Sequence, residues 1–299
     1  MLLDAAGLYF RAFYGVPESI TTPDGRPINA VRGFLDMTAR LVATRRPGSL
    51  VACLDEDWRP AFRVVALPSY KAHRVAAGGG EDVPAALAAQ VPILMQVLDA
   101  LGIARVGAAG FEADDVIGTL AARARETVEV VSGDRDLMQV VRDDAPVRLL
   151  YIGRGLAKMQ VFDEAGVRER YGVPPGGYAD FATLRGDPSD GLPGVAGVGE
   201  KTAAALVTRF GSIERIRAAA EYGTEGFPAG SQARIQAAAE YLAAAPAVVR
   251  VRTDVPVGDV DATLRAGAAD PEALVRLADE HGLDSTFDRT LTAIRRTVG

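Results

Sequence analysis

Cysteine and histidine are scarce in this chain, and their scarcity excludes several kinds of site. Cys53 is the single cysteine, so no disulfide can form within the chain and a reducing compartment suits it. The two histidines, His73 and His281, are too few for a histidine-rich zinc site, and neither lies in the motif of a serine or cysteine nucleophile. A bound metal should therefore be a hard cation on carboxylate oxygens, either magnesium or manganese.

Long apolar runs are absent as well. No stretch approaches the roughly 20 residues that cross a bilayer, and the start of the chain, MLLDAAGLYFRAF, lacks the basic leader of a signal peptide. The 299 residues, 48% hydrophobic and 24% charged, suffice for one large domain or two smaller ones. We therefore expect a soluble cytoplasmic protein that has no contact with a membrane.

Apolar runs alternate with helical patterns through the first half of the chain. The strand-like runs are MLLD, SLVACLD, GIARVGA, TVEVVSGD and PVRLLYI, and helices are predicted near 28–45, 84–101, from 112 and at 135–141. This alternation predicts an α/β fold with a mostly parallel central sheet flanked by helices. The pattern becomes helical after about residue 170, so we expect an α/β core over 1–170 and a helical region over 171–299. Between the second strand and the next long helix, the basic residues and AAGGGED predict a mobile segment near 60–90.

Acidic residues collect where the predicted strands end. Asp4 ends the first strand, Asp55 follows the second, and Asp134 follows VEVVSG. Active sites of such sheets lie outside the carboxyl ends of the strands, so these acids should converge on one edge. The other acids lie in three motifs: Glu112, Asp114 and Asp115 in FEADDVIGTL, Asp134 and Asp136 in SGDRDLMQ, and Asp187 and Asp190 in GDPSDGLPG.

Each acidic motif also has a purely structural interpretation. Acids in the first turn of a helix cap free N–H groups and face the positive end of the helix dipole, and Asp, Pro, Ser and Gly are ordinary turn formers. Independent caps do not explain why four such sites end at the same edge. Two carboxylates about 4 Å apart repel by roughly 4 kcal/mol at an effective dielectric near 20. The cluster therefore predicts a two-metal site that activates water and stabilises the leaving oxygen in phosphodiester hydrolysis.

The formal net charge of −6 argues against a nucleic-acid substrate at first sight. Nine of the negative charges belong to the proposed site, however, so the rest of the chain is mildly basic. Affinity for phosphate must then come from local groups. Lys71 and Arg74 in SYKAHR are one such pair, on one face if the segment is helical; the alternative is an ordinary solvent-facing pair.

A glycine-rich turn is the second group suited to phosphate. In LPGVAGVGEKTAAALV the turn opens a helix that begins near Glu200. Its N–H groups and the helix N-terminus form an anion site suited to a DNA phosphate. It matches neither a Walker loop nor a dinucleotide-binding fingerprint. A plain helix-turn-helix with a glycine turn is the alternative.

Five motifs in this order resemble those of the structure-specific 5′ nucleases, the family of flap endonucleases and the 5′ nuclease domain of bacterial DNA polymerase I. They are LLDAAGLYFRAF, YKAHR, GFEADDVIGTLA, SGDRDLMQ and GDPSDGLPGVAGVGEKTA, and the likeness runs from Met1 to about residue 290. It implies a stand-alone, magnesium- or manganese-dependent nuclease with a PIN-like core. Such an enzyme acts as a monomer on branched DNA and free 5′ ends, in the nucleoid of a bacterial cytoplasm, during replication and repair.

The resemblance also assigns roles to individual residues. Lys71 and Arg74 match residues at the base of an arch, near 60–90, that contact the scissile phosphate, and Arg11 matches a basic residue beside the site. The acids that fall on the metal-site positions of the family are Asp4, Asp55, Glu112, Asp114, Asp115, Asp134, Asp136, Asp187 and Asp190.

A helix-three-turn-helix at about 185–210 is implied by the same resemblance. In the family this motif grips the duplex backbone, and its carbonyls often hold a potassium ion. The matching residues are Gly197, Gly199, Lys201 and Thr202.

Two other functions remain open from the sequence. A PIN-like ribonuclease would explain the acids of the first half but leaves the glycine turn and the C-terminal helices without a role. A DNA-junction binding module with little or no catalysis would keep the acids as caps only.

Overall fold

The central sheet fixes the position of the acids that follow its strands. The computed structural model describes all 299 residues. Its six strands are β1 (Leu2–Asp4), β2 (Val51–Cys53), β3 (Ala104–Val106), β4 (Val128–Ser132), β5 (Val147–Tyr151) and β6 (Gln160–Phe162). They lie in the order β3-β2-β1-β4-β5-β6, and only β6 runs antiparallel to its neighbour. The predicted mostly parallel sheet is confirmed. The sequence pattern missed β6, a three-residue edge strand whose first two residues are exposed.

The strand order places a switch point beside β1. The chain leaves β1 for β2 and β3 on one side, and returns on the other side of β1 with β4. The crevice outside the carboxyl ends of two such strands is the usual ligand site of an open α/β sheet. Asp4 ends β1 and Asp134 lies two residues past the end of β4. Both therefore stand at this crevice.

Helices cover both faces of the sheet. In the first half they are α1 (Ala5–Gly15), α2 (Asn29–Arg45), α3 (Ala61–Ala66), α4 (Ala85–Ala88), α5 (Val91–Leu101), α6 (Ala113–Arg123) and α7 (Glu164–Tyr171). In the second half they are α8 (Tyr178–Arg185), α9 (Glu200–Phe210), α10 (Ile213–Glu221), α11 (Ser231–Ala237), α12 (Ala239–Ala244), α13 (Pro246–Val249), α14 (Pro271–His281) and α15 (Asp284–Val298). No helix is both long and apolar enough to cross a membrane.

Two predicted helices differ in the structure. The segment 84–101 is divided into α4 and α5 because Pro92 cannot donate a backbone hydrogen bond and begins a new helix. Gln90, at the break, is buried, and its side-chain oxygen accepts a hydrogen bond from the N–H of Ala30 at 2.8 Å. It thereby satisfies one of the free N–H groups at the start of α2. The segment predicted as a helix at 135–141 is a 3₁₀ turn over Asp136–Val140.

Each face of the sheet has its own core. One face packs against α6, α8 and α9, with residues such as Ile117, Phe181 and Leu206. The other face packs against α2 and α5, and it also includes α14 and α15 through residues such as Leu277 and Phe287. The last two helices, which we expected within the DNA-binding region 171–299, therefore lie against elements of the first half.

The segment near 60–90 has defined structure beside the sheet edge. It contains α3, a 3₁₀ turn over Ala72–Arg74, and a tight loop in which Val75 bridges to Glu81. The N–H of Lys71 donates to the carbonyl oxygen of Asp190 at 2.9 Å, and Gly191 lies directly against the backbone of Ser69. Gly191 has φ +73°, a conformation that glycine adopts without strain. The base of the segment is thus fastened to the loop that carries Asp187 and Asp190.

Candidate metal centre and DNA-binding turn

A small cavity of about 170 Å³ opens at the carboxyl ends of β1, β2 and β4. Five of the nine predicted acids line it: Asp4, Asp55, Glu112, Asp114 and Asp134. We call this group the pocket acids. Lys71 and Arg74 line the same cavity. A larger cavity, of about 560 Å³, lies behind α6 and contains none of the nine acids.

Backbone N–H groups hold several pocket acids in place. Asp4 accepts a hydrogen bond from the N–H of Gly7 at 2.8 Å and a second one from the hydroxyl of Ser132 at 2.6 Å. Asp55 accepts a hydrogen bond from the N–H of Ala113, the first residue of α6, at 2.6 Å. The capping interpretation of these acids is therefore correct for individual oxygens. It is compatible with a metal site, because a capped carboxylate still has free lone pairs to present to an ion.

Glu112 and Asp114 differ sharply in their partners. The Glu112 carboxylate accepts hydrogen bonds from the Tyr70 hydroxyl and from Lys71 Nζ, both at 2.8 Å. Burial raises the pKa of Glu112 to about 7, against the opposing effects of Lys71 and Arg63. Asp114 is half-buried and has no hydrogen-bond or ion-pair partner in the chain, and burial together with the charge of Asp134 raises its pKa well above the ordinary value. This unpaired carboxylate is the strongest sign that the pocket accepts a cation.

Asp115 is turned away from the other acids. Its two oxygens accept hydrogen bonds from Nη1 and Nη2 of Arg63, both at 2.7 Å, and both side chains are almost fully buried. It also accepts from the N–H of Arg252 at 2.8 Å and from that of Glu112 at 3.3 Å. These four donors occupy the carboxylate. In this structure Asp115 fixes the start of α6 against α3 and the segment after α13, and its four donors argue against the predicted role as a metal ligand.

The remaining three acids, Asp136, Asp187 and Asp190, do not line the cavity, and we call them the rim group. Asp187 faces Arg135 at 3.1 Å and Arg185 at 3.4 Å, and Asp190 faces Arg74 at 2.9 Å. Arginines therefore already compensate the charge of these two acids.

Asp136 is the exception in the rim group. Its Oδ1 is buried and has no hydrogen-bond partner. Burial, followed by the charge of Asp134, raises the pKa of Asp136 well above its usual value. The N–H of Asp136 donates to Asp134 Oδ1 at 2.7 Å, which places the two acids side by side. An orphaned buried oxygen next to a pocket acid marks a second position where a cation would be stabilised.

The donor set fits a magnesium or manganese ion. Every candidate ligand is a carboxylate oxygen, and no three acidic side chains converge closely enough to cage an ion by themselves. Magnesium usually keeps several of its waters and binds through one or two carboxylates together with substrate phosphates. An open arrangement of acids, two of which lack any protein partner, suits that mode of binding.

The predicted basic residues lie beside the acids. Lys71 is 12% exposed; burial lowers its pKa, but the carboxylates of Glu112 and Asp190 outweigh this effect and raise it overall, so it stays charged. Arg74 spans the gap between the cavity and Asp190. Arg11 reaches the turn after β4, where its Nη2 would lie 2.6 Å from a Cβ at Gly133, and its Nε has no hydrogen-bond partner. All three therefore border the pocket acids or the loop that carries Asp134.

The glycine turn precedes α9, as the sequence predicted. Gly199 is the N-cap residue of α9, no side chain caps this helix, and Lys201 in its first turn is exposed, with Thr202 partly so. Gly197 has φ +74° and needs to be glycine, whereas Gly199 has φ −91° and open space where a Cβ would stand. The positive φ of this turn therefore lies at Gly197 and not at Gly199.

Sequence reasoning missed several residues that shape the site. Arg63 lies in the apolar stretch AFRVVA, where a buried arginine has no periodic signal, and its partner Asp115 is 52 residues away. Arg234 donates from Nη1 to the carbonyl oxygen of Gly197 at 2.8 Å, across 37 residues of sequence. Glu81 lines the cavity from the loop after Arg74. The only signal for Glu81 in the sequence is its position shortly after the motif SYKAHR.

Comparison with known proteins places this geometry in a family. Residues 1–172 match the family described as the 5′-3′ exonuclease N-terminal resolvase-like domain, and residues 173–272 match the 5′-3′ exonuclease C-terminal SAM fold. The chain belongs to the 5′-3′ exonuclease family. The resemblance expected from the five motifs is confirmed, and so are the expectation of an enzyme and the fold class.

Two relatives of known name match 98% and 72% of this chain. A 5′-3′ exonuclease of Streptomyces coelicolor is 54% identical over 299 residues, which cover 98% of this chain and 99% of that protein. DNA polymerase I of Mycobacterium bovis is 44% identical over 220 residues, 72% of this chain and 23% of the polymerase. Among solved structures, the T5 5′-exonuclease with bound zinc has a TM-score of 0.64 at 16% identity, covering 100% of this chain and 99% of that one. That last likeness shows the fold.

Proposed function

We propose that this chain is a 5′-3′ exonuclease and flap endonuclease that hydrolyses phosphodiester bonds at 5′ ends and branched DNA junctions by a two-metal mechanism. The observation that carries the proposal is the set of pocket acids at the switch point of the sheet, with Asp114 unpaired and with Lys71 and Arg74 beside it. The full-length relative named a 5′-3′ exonuclease supports the choice of reaction, and the motifs shared with flap endonucleases support the branched substrate.

Magnesium or manganese, bound as two or more ions, would activate the attacking water and stabilise the leaving oxygen. The pocket acids would hold one ion. Asp136, Asp187 and Asp190, together with Asp134, would hold the second. The zinc ions in the T5 structure support divalent metal in this fold.

The basic residues act on the substrate. Lys71 and Arg74 are positioned to neutralise the charge that develops on the scissile phosphate, a contribution that is large where water is excluded. Both side chains are engaged by acids in the free protein, Lys71 by Glu112 and Arg74 by Asp190. An entering phosphate would compete with these carboxylates, and ions bound to the acids would release the basic groups. Arg11 would add a positive charge at the turn after β4.

The helix-three-turn-helix would hold the duplex away from the acids. Gly197, Gly199, Lys201 and Thr202 offer backbone N–H groups, a cation and a hydroxyl to phosphate oxygens, without reading bases. A potassium ion on the carbonyls of this turn belongs to the proposal. Because Arg234 already donates to the carbonyl of Gly197, such an ion would have to use other carbonyls of the turn.

The two parts of the chain would have different roles. Residues 1–170 would form the nuclease core with its arch near 60–90, and residues 171–299 would contain the DNA-binding region. We propose that the protein works as a monomer, since the pocket acids all come from one chain.

Cleavage of a 5′-labelled DNA flap, with and without EDTA, tests the proposal. We expect magnesium- or manganese-dependent cleavage at the junction and none in EDTA. Single-stranded RNA of the same sequence should be cut much more slowly. Preferential cleavage of the RNA would identify a PIN-like ribonuclease, and tight flap binding without cleavage of either substrate would identify a junction-binding module.

A further inference from the structure

One further acid lines the cavity, although it is not among the nine acids predicted from the sequence. Glu81 faces the same cavity as the pocket acids, but it belongs to the loop that follows Arg74. Its carboxylate accepts no hydrogen bond and forms no ion pair with any residue of the chain. An acid that is partly buried among other acids, without a partner, is unfavourable unless something else compensates its charge.

The loop geometry directs Glu81 toward the pocket. Val75 and Glu81 form an antiparallel bridge, and between them the N–H of Ala76 donates to the carbonyl of Gly80 at 3.0 Å. The N–H of Asp82 donates to the carbonyl of Arg74 at 2.7 Å. These bonds close residues 74–82 into a tight hairpin, which we call the arch hairpin. Its two arms return to the base of the arch, so Glu81 is carried back beside Lys71 and Arg74.

The charges around Glu81 do not compensate it. Asp55 repels Glu81, while Lys71 and Arg74 attract it from a distance. Both basic groups are already engaged elsewhere, Lys71 by Glu112 at 2.8 Å and Arg74 by Asp190 at 2.9 Å. A divalent cation among the pocket acids would reverse this balance, because it would replace the repulsion from Asp55 with a net attraction for Glu81.

We propose that Glu81 is a further metal-facing carboxylate, supplied by the arch hairpin, and that a divalent ion bound to the pocket acids holds this hairpin in place beside the cavity. The inference rests on the proposed function, since it requires an ion in the pocket. Its consequence is that the bound metal stabilises the arch hairpin beside the pocket acids.

Titration of the DNA-free protein with manganese by calorimetry tests the role of Glu81. Glu81→Gln should weaken binding of the pocket ion by about tenfold, the lower end of the effect of residues that support metal ligands. Asp82→Asn is the matched control, since it removes the same charge one residue further along from an exposed side chain outside the cavity. It should change the affinity by less than about twofold because a solvated charge is screened.

Hydrogen exchange of the arch hairpin supplies a second readout. The amides of Ala76, Gly79 and Asp82 donate the hydrogen bonds that close it. Manganese should slow their exchange in the wild-type protein and in Asp82→Asn, but not in Glu81→Gln. Because Glu81 makes no side-chain contact that holds the fold, the variant should keep the melting temperature of the wild type in EDTA.

Two results would overturn the inference. One is equal manganese affinity in the wild type, Glu81→Gln and Asp82→Asn; the other is hairpin exchange that manganese does not alter. A wild-type protein that binds no manganese, with Asp114→Asn behaving identically, would instead refute the proposed metal site and the inference with it.

Discussion

Four of the five pocket acids and three of the four other acids of the site carry their charge in opposite ways. Asp4, Asp55, Asp114 and Asp134 have no ion-pair partner, whereas three other acids, Asp115, Asp187 and Asp190, each face an arginine. Asp114 and Asp115 are neighbours in sequence and show the contrast at its sharpest. A carboxylate that is occupied by four donors, as Asp115 is, stabilises the fold and has little capacity left for a ligand. Charge that is left uncompensated destabilises the free protein and is available to a cation.

The largest expected effect is on stability, at the most completely paired acid. Asp115→Asn would leave the Arg63 guanidinium buried opposite a neutral group, which should cost about 3–5 kcal/mol in the free energy of unfolding. Urea denaturation in EDTA measures it. The control is Asp254→Asn, which breaks an exposed ion pair with Arg252 and should cost less than about 1 kcal/mol. If Asp115→Asn unfolds like the wild type but loses manganese binding, Asp115 is a metal ligand and the contrast with Asp114 is wrong.

The corresponding change at an unpaired acid should act on the reaction instead. Asp114→Asn should slow flap cleavage at least about a hundredfold, equivalent to about 2.7 kcal/mol of transition-state stabilisation. Because it removes one of several repelling charges, stability in EDTA should stay the same or rise. Single-turnover kinetics and thermal melts measure the two effects. A variant that cuts flaps at close to the wild-type rate would remove Asp114 from the site.

The basic residues lie between the two groups of acids and should have intermediate effects. Lys71→Ala and Arg74→Ala should each lower the single-turnover rate by about tenfold, because they act on the scissile phosphate. Binding of duplex in calcium, which we expect to support binding without turnover, should change less. His73→Ala is the control, since His73 is exposed in the same 3₁₀ turn. Weak binding with normal turnover at saturation would make Lys71 and Arg74 ordinary backbone contacts.

The glycine turn should show the smallest effect, because it works without side-chain charge. Gly199→Val should weaken flap binding by a few-fold, equally for all DNA sequences, and make the salt dependence less steep if one phosphate contact is lost. The free protein has open space for the added side chain, so the loss would reflect the approach of DNA. Gly258→Val, at another exposed glycine with open space, is the control. Unchanged affinity and salt slope for Gly199→Val would mean that the turn only connects helices.

The sequence sufficed to predict the parallel sheet and the edge where the acids gather. Strands of buried apolar residues end in Asp4, Asp55 and Asp134, and parallel topology brings those ends together whatever the loops do. Local charge and glycine spacing indicated Lys71, Arg74 and the glycine turn, and the resemblance to the family added Arg11 and a predicted role for each of them.

Long-range pairing could not be predicted in the same way. Whether Asp115 faces a metal or Arg63 depends on how α3 packs against α6. No feature of the motif FEADDVIGTL indicates this packing. The return of α15 to pack on α2 has the same cause, since an amphipathic helix does not specify which apolar face it will cover. Backbone conformation was also hidden, because Gly197 and Gly199 look equivalent in the sequence.

Anomalous diffraction from a crystal soaked in manganese tests the central claim most directly. The account predicts a peak within the cavity, among Asp4, Asp55, Glu112, Asp114 and Asp134, and none beside Asp115, whose oxygens remain on Arg63. A second peak beside Asp136 would agree with a two-ion site. A cavity without manganese while ions bind elsewhere on the protein, or an ion ligated by Asp115, would contradict it.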